Sequence, residues 1–110
     1  MATNYKVLGQ TAPSATTNTT LYTAPAATQA VVSTIAVCNR STSARTFRIA
    51  VRPDGAAIAN QHYVAYDAEV PGSDTVALTL GITLGDTDVI TVYASAADMS
   101  FSAFGSEVTA

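Results

Sequence analysis

The chain has one cysteine, one histidine and no tryptophan, and only 12% of its 110 residues are charged. Each shortage excludes a class. A lone cysteine cannot make a disulfide scaffold. One cysteine and one histidine are too few for a zinc module. Five basic residues against eight acidic ones give a formal net charge of −3, the opposite of the basic excess expected of a nucleic-acid-binding domain. No uninterrupted apolar run approaches the ~20 residues that span a bilayer. Met1–Gln10 is polar and mixed, with no apolar core segment, which predicts synthesis in a cytoplasm without secretory export. Hydrophobic residues at 48% with low net charge argue against disorder.

Small and β-branched residues dominate what remains. Alanine occurs 21 times and threonine 17 times. Thr, Val, Ile and Tyr favour pleated strands, and no stretch carries a 3.6-residue apolar stripe. Period-2 alternation is clear in Arg45–Arg52, where Phe47, Ile49 and Val51 share one face and Thr46, Arg48, Ala50 and Arg52 the other. Asp74–Gly81 repeats it with Val76, Leu78 and Leu80. Ala30–Asn39 and Val89–Ala94 are nearly continuously apolar, as expected of strands covered on both faces. Shorter candidates are Tyr5–Gln10, Thr19–Thr23, His62–Asp67 and Met99–Phe104. About eight short strands separated by turn residues predict an all-β chain, a single antiparallel β-sandwich of jelly-roll or immunoglobulin-like topology. Residues 1–20 read as an N-terminal strand followed by a Thr/Ala-rich extended arm, and residues 21–110 as the sandwich domain. The arm is either a solvated terminus or a segment lying on a neighbouring subunit.

Chemistry-bearing residues are sparse. His62 has no sequence neighbour that suggests a catalytic triad and reads as a hydrogen-bonding or interface histidine. Cys38, among apolar residues, reads as a buried small hydrophobe. Asp86 and Asp88 lie in a turn that lacks the further ligands of a calcium loop. Asn18 and Asn39 match the glycosylation acceptor pattern by chance in a Thr- and Ser-rich chain. Asp67 and Glu69, at i and i+2 of a strand, would share a face at roughly 7 Å, a spacing compatible with a pair of glycosidase carboxylates. Nothing else supports a hydrolase, so no enzyme, cofactor or metal is expected. Arg40, Arg45, Arg48 and Arg52 cluster within thirteen positions. Arg48 and Arg52 form either an ordinary polar outer face or a patch that meets acidic groups of a partner.

The stretch Asn18–Arg40, in particular Thr20–Ala26 and Val31–Arg40, resembles a segment common in small tailed-bacteriophage virion proteins. Phe47–Arg52 and Phe101–Glu107 fit the same pattern, so the resemblance covers about residues 16–108. Ala24 and Ala27 depart from it, where Val and Gly are usual. Its motifs are structural and carry no catalytic signature. The resemblance implies a β-sandwich component of a phage particle. It points first to a capsid decoration (cement) protein on the outer surface of the virion, assembled in the host cytoplasm. Such a protein would clamp the major capsid protein and associate with itself as a trimer. The alternative is a tail, neck or fibre-associated protein whose partners are other tail proteins or a host surface glycan. Neither nucleic acid nor membrane is an expected partner. Candidate contact residues are Thr16, Thr17 and Asn18 of the arm, Arg48 and Arg52, His62, and the aromatic residues Tyr22, Tyr63 and Tyr66. On this reading, removal of residues 1–17 leaves the sandwich folded.

Overall fold

A computed structural model describes residues 2–109. It contains nine strands: β1 (Ala2–Thr11), β2 (Thr19–Thr23), β3 (Thr28–Asn39), β4 (Arg45–Arg52), β5 (Tyr63–Val70), β6 (Thr75–Leu78), β7 (Ile82–Leu84), β8 (Val89–Ala94) and β9 (Met99–Thr109). Two short 3₁₀ turns, Pro53–Gly55 and Asn60–His62, lie between β4 and β5.

The strands form two antiparallel sheets. One has the order β1-β9-β3-β6, with β7 also on β3; the other has the order β2-β8-β4-β5. If β6 and β7 count as one interrupted edge strand, this is the strand order of an eight-stranded jelly roll and not that of an immunoglobulin domain. The interruption is Thr79–Gly81, where the chain leaves the edge of β3. Leu80 is therefore exposed, whereas Val76 and Leu78 pack against the core as their alternation predicts.

Inward-facing residues of both sheets make one core. Phe47, Ile49, Ile90 and Val92 from one sheet meet Val32, Ile35, Val37, Phe101 and Ala103 from the other. Phe47 and Phe101 meet edge to face across it, with centroids 6.1 Å apart. β8 is covered on both faces, as expected: only Tyr93 is not fully buried. β3 is not. Its burial alternates, with Val31 and Ser33 exposed, because one side of its sheet has no covering layer. Cys38 lies on that outer side and is half-buried, not a core residue.

The start of the chain belongs to the sandwich. Ala2–Thr11 pairs with β9 over its whole length, and Leu8 enters the core. The boundary between residues 20 and 21 is therefore not a structural division. Residues 12–18 bridge the two sheets, held by buried Pro13 and by a hydrogen bond from the Thr16 amide to the Ala94 carbonyl (2.8 Å).

Candidate interaction surfaces

The outer face of the β2-β8-β4-β5 sheet carries a cluster around Arg48. β4 and β5 are in register at Phe47↔Ala68 and again at Ile49↔Ala65. Two residues of β5, Tyr66 and Asp67, thus stand opposite the single residue Arg48. A bulge of this kind re-aims side chains. It is made possible by Asp67, whose φ of 51° lies in the left-handed region that Asp tolerates better than most residues. Arg48 Nε donates to Asp67 Oδ1 at 2.7 Å. Its guanidinium carbon sits 4.2 Å from the ring centre of Tyr66 and 4.3 Å from that of Tyr93. Tyr63 meets Tyr66 edge to face at 4.9 Å. The side-chain hydrogen bond to Asp67 raises the Arg48 pKa further above a value at which a guanidinium is already always charged.

The other arginines bind within their own chain. Arg45 and Asp98 form a two-pronged pair, with both N···O distances 3.1 Å. That hydrogen bond holds the Asp98 carboxyl below its ordinary range. Arg52 donates to the carbonyls of Ala56 (2.7 Å) and Gly55 (3.0 Å) and to Thr91 Oγ1 (3.1 Å). It clamps the turn after β4 and is not a free interface charge. Arg40 donates to Ser100 Oγ and the Ala97 carbonyl.

The remaining candidates separate. Tyr22 is 7% exposed. Its ring lies in the core and its hydroxyl donates to Glu107 Oε2, so it cannot meet a partner. It points inward because the register shift between Thr20 and Tyr22 leaves Leu21 as an extra residue, so the consecutive Leu21 and Tyr22 both enter the core. Thr16, Thr17 and Asn18 are exposed in the inter-sheet connection, and Thr16 and Thr17 each donate to the Ala15 carbonyl. His62 Nδ1 accepts the Ala59 amide at 3.0 Å. The structure thus joins Arg48, Tyr63 and Tyr66 and leaves the other candidates elsewhere.

Asp88 of the Asp86–Asp88 turn is engaged as well. Both oxygens of Asp88 accept backbone amides, from Asp54 and Gly85, each at 2.8 Å. Among the described residues no group of three or more His, Cys, Asp or Glu side chains is placed to hold a metal. Asn39 is 1% exposed. Its amide donates to the carbonyls of Ser43, Val70 and Pro71, and its Oδ1 accepts from Ser41. A side chain so enclosed is closed to glycosylation in the folded protein. A surface depression of about 380 Å³ lies among Ala27, Thr28, Gln29, Gly85, Asp86 and Val108 and holds a single ionisable side chain.

Two features escaped sequence reading. Tyr93 completes the Arg48 cluster; its alternation with Val89 and Thr91 was the available signal. The second is the outer face of the other sheet, where Tyr5 (85% exposed), Val7, Val31 and Phe104 lie close together. Val7 is opposite Phe104, and both Tyr5 and Val31 are opposite Ser106. Apolar residues on both sides of β9 were the signal, but only the register shows that they share a face.

The chain matches no protein-family model, no curated protein and no solved structure.

Proposed function

We propose that this chain is a structural subunit of a tailed-bacteriophage particle: a capsid decoration protein that binds the major capsid protein shell from outside and stabilises it. The phage assignment rests on the resemblance over residues 16–108. The observation that carries the binding role is the cluster of Arg48 between Tyr66 and Tyr93, braced by Tyr63 and Asp67. Tyr and Arg dominate the energetics of protein interfaces. Here their rotamers are set before contact, which lowers the ordering cost of association. A subunit that binds only the mature shell stabilises it by mass action.

Copy counting in purified particles by quantitative gel tests this. Shell decoration follows capsid symmetry and requires hundreds of copies, whereas a tail or fibre location gives about a dozen or fewer. Complete absence from purified particles overturns the structural role. On naked shells, Arg48→Ala and Tyr66→Ala are expected to reduce occupancy without unfolding the subunit. Unchanged occupancy in both variants removes this face from the interface.

A further inference from the structure

The four outer strand positions of the two sheets are unequal. Unpaired strand edges recruit other strands unless they are short, bulged, charged or covered. β2 has five residues and shifts register between Thr20 and Tyr22. β5 shifts register twice and carries Asp67 and Glu69. β6 and β7 have four and three residues. Between Ala2 and Val7, β1 is neither short, bulged nor covered, and its one charged side chain is Lys6. That segment pairs residue for residue with Phe104–Thr109, contains no proline and follows no irregular course. Beyond it the strand crosses close to β2, where Gly9 approaches the Leu21 carbonyl. The free edge is therefore Ala2–Val7.

The charge on this segment is already answered. Lys6 is its only ionisable cation, and Lys6 Nζ lies 3.2 Å from Glu107 Oε1 of the same chain. An incoming strand of the same sequence would meet no uncompensated like charge. The exposed apolar residues lie beside the same edge: Tyr5 and Val7 on β1, then Phe104 and Val31 further into the sheet.

We propose that β1 is a self-association edge. Ala2–Val7 of one copy pairs antiparallel with Ala2–Val7 of a second copy about a two-fold axis. Antiparallel self-pairing is isologous, so one patch serves both partners. Backbone hydrogen bonds supply the pairing. The apolar face of Tyr5, Val7 and Phe104 continues across the seam and supplies burial. This proposal does not depend on the shell-binding role, which uses the opposite face of the sandwich.

Sedimentation equilibrium of the full chain tests it. The expected result is a reversible monomer–dimer equilibrium with a subunit mass of 11.3 kDa. The double variant Tyr5→Lys/Val7→Lys places two cations per copy at the seam and is expected to sediment as a monomer at every concentration, with an unchanged circular dichroism spectrum. A wild type that stays monomeric, one that forms trimers, or a folded double variant that still dimerises overturns the proposal. Amide hydrogen exchange on the wild type supplies a check that needs no variant. Protection over residues 2–7 is expected to rise with protein concentration, and protection independent of concentration overturns the pairing.

Discussion

The phenol of Tyr22 and the carboxylate of Glu107 meet between the two sheets, with Lys6 closing the other side of the carboxylate. Tyr22 comes from β2 and Glu107 from β9, 85 positions apart in the chain. The hydrogen bond from Tyr22 holds the Glu107 carboxyl below its ordinary 4.5, with Lys6 contributing in the same direction. Burial first, and the hydrogen bond to Glu107 second, push the Tyr22 hydroxyl well above its ordinary 10.0.

These shifts predict a plateau of stability bounded on both sides. Glu107 contributes stability that is present above pH 4.5 and is lost as pH falls through its lower folded value. Tyr22 keeps its proton in the fold, so stability declines above pH 10.0 as the unfolded phenol ionises. Tyr22→Phe is expected to cost about 1 kcal/mol at neutral pH. It also removes the largest downward influence on Glu107, so the folded carboxyl moves back toward 4.5 and the acid limb of a urea-stability profile becomes shallower. An acid limb as steep as in the wild type contradicts the assignment.

Asp67 tests the bulge that builds the Arg48 cluster. Asp67→Ala loses the ion pair and places an alanine in the left-handed region, whereas Asp67→Gly loses the pair without that strain. Gly at this site is expected to be more stable than Ala by about 1 kcal/mol. Equal thermal midpoints would show that the positive φ is not maintained in solution. Arg48→Ala is expected to change the tyrosine ring-proton shifts in NMR strongly, since the Arg48 guanidinium lies over Tyr66 and Tyr93.

Asn39 ties the end of β3 to the turns at residues 41–43 and 70–71. Asn39→Ala leaves buried carbonyls without their donor and is expected to cost about 2–3 kcal/mol in denaturant unfolding, at the upper range for unsatisfied buried groups. Asn39→Asp brings an acceptor-only carboxylate against three carbonyls and should be at least as damaging. A loss below about 0.5 kcal/mol in both variants, as for ordinary surface sites, would refute the clamp.

Gly9 and Gly105 lie under backbone carbonyls. A Cβ at either position would overlap the Leu21 or Val31 carbonyl oxygen, whereas one at Gly85 meets only Asp88 Oδ2 at 3.6 Å. Gly9→Ala and Gly105→Ala are expected to cost about 3 kcal/mol or more, since overpacking against backbone is not relieved by rotamer change. Gly85→Ala should stay within about 0.5 kcal/mol. Melting curves of the three variants decide this.

Removal of residues 1–17 takes away an edge strand, the core residue Leu8 and the Lys6 partner of Glu107. The shortened chain is expected to lose its cooperative thermal transition. A sharp transition in that chain would show that β1 is dispensable, as composition alone suggested.

Much of the fold was legible in the residues. Alternation in Arg45–Arg52 assigned Phe47 and Ile49 to the core and Arg48 to the outer face, because a strand reverses its side chains at every residue. Turn residues divided the chain into about the right number of strands. The low charge and the scarcity of cysteine and histidine limited the chemistry before any contact was known. Three matters were decided by tertiary structure. The pairing of β1 with β9 joins the two ends of the chain, and loop-closing contacts of that length leave no local signature. The roles of the arginines depended on distant acids, Asp98 for Arg45 and Asp67 for Arg48. Tyr63 and Tyr66, three residues apart, fall on opposite faces of a regular strand. They share one face here because register shifts in β5 break the alternation. A single inserted residue reverses every side chain beyond it, so the sequence determined the sandwich and its core, while the register of β5 determined which aromatic residues stand beside Arg48.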